Sequence, residues 1–255
     1  MIMNGLSLIR KELRQAARKE KATVLGRFFK TGKGEYAEGD RFLGVVVPDT
    51  RVVAKRHLGL SLVDTVELLH SPIHEERLCA LLVMVAQYER GDVKMRKAIY
   101  RVYLANTRYI NNWDLVDLSA PRIVGAHLAG RSKRTLHVLA RSSSLWERRI
   151  AMIATFYDIS HGDPEAALDI AERLVYDDHD LIHKAVGWML REVGKRCSLD
   201  AERSFLDRYA ATMPRTALRY AIERMSPAEK RHYITGIRPQ SKPRARISHG
   251  KPREI

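Results

Sequence analysis

A chain of 255 residues, 45% hydrophobic and 29% charged, can bury a sizeable core, which excludes a disordered chain, a collagen-like chain and a small disulfide scaffold. Lys and Arg total 45 against 30 Asp and Glu, a formal net charge of +15. An excess of that size implies a polyanionic partner, with nucleic acid first and an acidic membrane surface second. Cys79 and Cys197 stand alone without a CxxC spacing, so neither a disulfide framework nor a cysteine zinc site is expected. The longest apolar run, Leu78 to Ala86, is far short of the ~20 residues of a spanning helix. With an N-terminus that turns charged almost at once, the expected location is cytoplasmic.

The first element is an amphipathic helix over Leu6 to Ala17, with Leu6, Ile9, Leu13, Ala16 and Ala17 on one face. A glycine-rich stretch from Phe28 to Val47 then reads as a long, ordered loop. Pro48 and Asp49 open a helix, and from there to Ile234 the apolar spacing stays helical with no sustained two-residue alternation. The fold class is all-α.

The helical part repeats. The starts His74 to Leu82, Trp146 to Ile153 and Ile182 to Leu190 can be laid over one another, each after a short polar turn. Their small residues Cys79, Ala151 and Ala185 fall 72 and 34 apart, the spacing of two helix-pair units and of one. A further unit is expected near residue 115. Such units bury their apolar stripes only by stacking, which predicts a superhelical solenoid of helix pairs with one concave, basic face. Residues 1–237 form this domain. Residues 238–255, rich in Arg, Lys and Pro, form a basic tail expected to stay disordered.

Trp113-Asp114-Leu115-Val116-Asp117 is the most informative stretch. If Asn111 or Asn112 caps a helix here, Trp113 and Asp117 share a face. A carboxylate beside an indole on a positive surface suits stabilisation of the oxocarbenium-like sugar formed when a glycosidic bond breaks. Charge at a helix N-terminus is the plainer account, more so for Asp114 than for Asp117. Trp113, Trp146 and Trp188 all fall at or near repeat starts. Arg148 and Arg149 oppose the dipole of the helix they open, which calls for an anion. Arg77, His183 and Lys184 extend that basic track. The glycines at 32 and 34 match neither phosphate-binding loop spacing, and the histidines lack an HExxH pair. No metal and no nucleotide cofactor is expected.

At these residues the sequence resembles the AlkD-type DNA alkylation repair glycosylases, which are built from stacked HEAT-like repeats. The likeness runs from Leu6 to Ile234. It rests on Phe28 to Tyr36, Asn112 to Asp117, Leu145 to Ala151 and Lys184 to Glu192. The resemblance implies hydrolysis of the N-glycosidic bond of cationic purines such as 3-methyladenine and 7-methylguanine in duplex DNA. It implies Asp117 as the catalytic carboxylate, Trp113 and Trp188 against the deoxyribose backbone, and one of Arg148 and Arg149 on the phosphate. The spacing of Arg149 to Trp188 fits the family better, so the resemblance favours Arg149. The expected site is therefore Asp117, Trp113 and Arg149, with Arg148, Trp188, Lys184 and Arg77 as DNA contacts, in a monomer. The alternative is a helical-repeat module that binds nucleic acid or scaffolds a partner without catalysis.

Overall fold

A computed structural model describes residues 5–236; the basic tail expected over 238–255 lies outside them. The described residues contain no strand, and their one isolated bridge joins Arg41 to Ile73. The chain forms two compact units, one running to Gly130 and one beginning at Arg131.

The first unit carries α1 (Gly5–Gln15), α2 (Lys19–Phe28), α3 (Val47–Arg56), α4 (Leu62–Leu69), α5 (His74–Arg90), α6 (Val93–Ala105), α7 (Trp113–Ala120) and the short α8 (Ala126–Leu128). The expected first helix thus stops before Ala16. A separate helix, α2, which periodicity alone does not distinguish, precedes the loop, and none of its residues is buried. Pro48 sits in the first turn of α3, where its missing N–H has no helical partner to lose. Pro121 ends α7, and the chain continues through a π-helical turn over Pro121–Gly125.

The centre of this unit is α5. It is buried from His74 through Val85 because α3, α4 and α7 all pack against it, and its middle, Leu78 to Ala86, is apolar on every side. Its first four residues are polar, buried and bonded outward to different segments. His74 reaches Asp40 and Asp114, Glu76 takes the guanidinium of Arg10, and Arg77 pairs with Asp40. The Glu75 carboxylate accepts from the amides of Leu43, Gly44 and Val45 at 3.0, 2.8 and 3.2 Å. Gly44 has φ +84° and lies against the backbone of α2's first turn, where a Cβ would stand 2.1 Å from the Arg18 carbonyl oxygen; no other residue fits. The long loop between α2 and α3 is thereby fastened to the start of α5.

The second unit carries α9 (Arg134–Ala140), α10 (Leu145–Ala154), α11 (Phe156–Ser160), α12 (Glu165–Leu174), α13 (Asp180–Arg196), α14 (Leu199–Tyr209), α15 (Arg215–Ala221) and α16 (Pro227–Arg231). Here α10 packs on α9 and α13, and α13 on α12, α14 and α15. The approach of α15 to α13 is close at Gly187, where a Cβ would lie 2.3 Å from the Ala217 carbonyl oxygen.

The superposed helix starts have structural counterparts. Cys79, Ala151 and Ala185 are each fully buried, in α5, α10 and α13, and α7 occupies the position expected near residue 115. A basic side chain near each start also bonds back to the carbonyl six residues earlier: Arg77 to Ser71, Arg148 to Ser142, His183 to Asp177. At three helix starts, therefore, a side chain from the helix closes the preceding turn and satisfies a carbonyl that the turn would otherwise leave unpaired.

Candidate active site

Helix α7 starts where the sequence places it. Asn112, fully buried, accepts the Trp113 amide on its side-chain oxygen at 2.8 Å and donates from Nδ2 to Asp40 at 3.3 Å. The cap is therefore itself held by the loop before α3. Trp113 and Asp117, four apart in one helix, lie on one face, and both are half-buried.

The two carboxylates of this helix differ in surroundings. Asp114 is 6% exposed; one oxygen takes the Leu115 amide at 2.9 Å and the other faces His74 Nε2 at 2.8 Å. It is occupied in holding the helix start. Asp117 stands a turn further on, near Tyr103. Burial pushes the Tyr103 phenol up, the Ser119 hydrogen bond opposes this, and the negative charge of Asp117 adds to the rise.

Trp113 rests on an aromatic cluster that the loop supplies. Its ring stacks on Phe29 at 5.2 Å between centroids, Phe29 stacks on Phe42 at 5.1 Å, and Phe42 stacks on the His74 imidazole at 4.5 Å. Phe28 approaches the indole edge-on at 6.0 Å and is 62% exposed. Phe29, Phe42, His74 and Asp40 are the residues that sequence reasoning missed as parts of this neighbourhood. The available signal was the glycine-rich composition of 28–47, which marked an ordered loop without saying what it touches.

Under this cluster lies a buried polar network. His74 Nδ1 faces Asp40 at 3.2 Å, and Arg77 Nη2 donates to the other Asp40 oxygen at 2.6 Å. Burial alone would raise the Asp40 pKa, but the His74 hydrogen bond and the Arg77 charge outweigh it and hold the carboxyl below its usual range. Burial would likewise lower that of His74; Asp114 and Asp40 overcome it and carry the imidazole up to about 9. Two anions and two cations share the network, as burial of charge requires.

The residues of the expected basic track have partners within the chain. Arg77 is 3% exposed and spent on Asp40 and the Ser71 carbonyl. Arg148 is 8% exposed: Nε and Nη2 donate to Asp177, and Nη1 to the carbonyls of Ser142 and Ser143. The anion that the start of α10 demands is, for Arg148, a carboxylate of this chain. Arg149 is 4% exposed and donates to the Leu181 carbonyl at 2.6 Å. Lys184 is part-exposed and pairs with Asp180 at 2.7 Å.

The tryptophans are not equivalent. Trp113 opens α7, whereas Trp146 is buried near the start of α10 and Trp188 is half-buried in the middle of α13, 6.2 Å from Phe156. Trp188 follows Gly187, so α15 fixes the stretch of α13 from which it projects. Among the described residues no group of His, Cys, Asp and Glu is arranged to hold a metal ion, and no helix is long and apolar enough to cross a membrane.

Comparison with known proteins bears on all of this. No curated protein matches the chain. A solved structure described as a "Predicted DNA alkylation repair enzyme from Enterococcus faecalis" superposes with a TM-score of 0.64, covering 83% of this chain and 97% of that one. At 16% identity that likeness speaks for the helical fold alone. The family model of the DNA alkylation repair enzymes matches residues 9–225, which is most of the sequence, and this chain belongs to that family.

Proposed function

We propose that this protein is a DNA glycosylase that hydrolyses the N-glycosidic bond of cationic alkylated purines in duplex DNA. The observation that carries the reading is the division of labour in α7. Asp114 is buried and bonded to His74, while Asp117 is half-buried on the same face as Trp113. A cationic purine is already a good leaving group, and its departure builds positive charge on the deoxyribose. Asp117, as a carboxylate, stabilises that charge and orients the water that attacks the anomeric carbon. Trp113 offers an aromatic face to the sugar. The substrates in view are 3-methyladenine and 7-methylguanine.

In the second unit the roles go to Arg149, Trp188 and Lys184. Arg149 is assigned to a DNA phosphate because its spacing to Trp188 fits the family better; the guanidinium nitrogens of Arg148 are all bonded within the chain. Trp188 contacts the backbone beside the lesion, and Lys184 contributes to phosphate neutralisation. Binding to duplex DNA then weakens steeply with salt, as counterion release requires. The protein acts as a monomer, and the chemistry needs no metal or nucleotide.

The test is release of free purine from methylated duplex DNA by wild type and by Asp117→Asn. Release by wild type, reduced about a hundredfold or more in the variant, is the expected result. Equal release by both removes Asp117 from the mechanism. Salt-dependent binding by wild type without any release leaves a non-catalytic nucleic-acid-binding module.

A further inference from the structure

His74 is bonded on both of its ring nitrogens to carboxylates from other segments. Nδ1 faces Asp40 in the loop before α3, and Nε2 faces Asp114 in the first turn of α7. Both partners are acceptors when ionised, so both nitrogens must carry protons, which only the imidazolium provides. The face of the same ring stacks on Phe42 and lies 5.0 Å from Phe29, which in turn stacks on Trp113. The ring is thus joined to the start of α7 twice, by charge through Asp114 and by aromatic contact through Phe29.

We propose that His74 is a positioning residue for Trp113: gripping Asp114 and backing Phe29, it sets the orientation in which the indole meets the sugar. This rests on the reading of Trp113 and Asp117 as the pair that works on the substrate. His74 touches no substrate in this scheme. Loss of its second proton leaves a lone pair facing a carboxylate oxygen, so one of the two grips on the α2–α3 loop and α7 must open. The charged groups facing the ring are Asp40 from the loop, Asp114 from α7 and Arg77 from its own helix. Glu75, also on α5, is taken up by the amides of 43–45. The protonated form prevails at neutral pH because the imidazole titrates at about 9.

The experiment uses the full chain labelled with 5-fluorotryptophan, whose three tryptophans give three fluorine resonances; Trp113→Phe identifies the line of Trp113. Two results are expected. In wild type the Trp113 line shifts as the pH passes about 9, while those of Trp146 and Trp188 hold still. In His74→Gln, which keeps one donor, the Trp113 line is already displaced at neutral pH, no longer titrates, and single-turnover purine release falls about ten- to a hundredfold. A Trp113 line at its wild-type position in His74→Gln, or one in wild type that ignores pH, overturns the proposal. If His74→Gln does not fold, shown by all three lines moving together, the wild-type titration decides alone. A wild type that releases no purine overturns the glycosylase reading instead, and the Trp113 line still tests His74.

Discussion

Arg148 of α10 grips Asp177, in the turn that joins α12 to α13, with two nitrogens, Nε at 2.6 Å and Nη2 at 3.3 Å. The pair is almost out of solvent, with side chains 10% and 5% exposed. Removing one member leaves the other charge buried, which costs about 3 kcal/mol or more. Arg148→Met is expected to lower the thermal midpoint by several degrees, while the salt dependence of DNA binding stays that of wild type. A reduced slope of log affinity against log salt at unchanged stability would return Arg148 to the DNA.

Glu75 fastens the loop that carries Phe29, Asp40 and Phe42. Hydrogen bonds to a charged acceptor are worth about 1.5–3 kcal/mol each, and three amides converge on this one carboxylate. In Glu75→Gln, amide exchange at Leu43, Gly44 and Val45 is expected to accelerate at least about tenfold. Exchange in α13 should not change. Hydrogen-exchange mass spectrometry reads both regions in one experiment.

Gly187 permits α15 to lie against α13. A methyl group there meets the Ala217 carbonyl oxygen at 2.3 Å and the Tyr220 Cβ at 2.6 Å, and the backbone oxygen has no rotamer by which to move aside. Gly187→Ala is expected to destabilise by about 1–3 kcal/mol, despite the higher helix propensity of Ala. Urea unfolding checks it, and a midpoint at or above that of wild type contradicts the contact.

Glu202 is 3% exposed, with Oε1 lacking a hydrogen-bond partner. Burial first, then the charge of Glu229, pushes its carboxyl up to about 8, against the pull of Arg191 and Arg203. The folded chain therefore keeps this proton where the unfolded chain, at the ordinary 4.5, has released it. The stabilisation is complete below that value and is lost as pH rises toward about 8. Glu202→Gln carries no such proton, so its thermal midpoint should fall less than that of wild type between pH 5 and pH 8. Parallel curves would show that Glu202 titrates normally.

The all-helical class was legible in the sequence because a helix that buries one face against its neighbours carries its apolar residues at 3.6-residue spacing. Cys79, Ala151 and Ala185 are small for the same reason, and all three are buried. The start of α7 was legible through local chemistry: Asn112 caps, and the spacing of Trp113 and Asp117 needs no tertiary contact to put them on one face. Helix α2 was not marked off in the sequence, and none of its residues is fully buried.

What the sequence by itself determined is the all-helical class, the excess of positive charge, and an indole and a carboxylate on one helix face. Only the tertiary structure decided which charges are occupied. Arg77 and Arg148 read as a basic track, yet each meets a carboxylate from a segment distant in sequence, Asp40 or Asp177. Asp114 and Asp117 look alike in the chain, yet a histidine 40 residues away binds only the first. Helical spacing is a local property of the backbone, whereas the partner of a buried charge is chosen by whichever loop folds over it, and no periodicity records that choice.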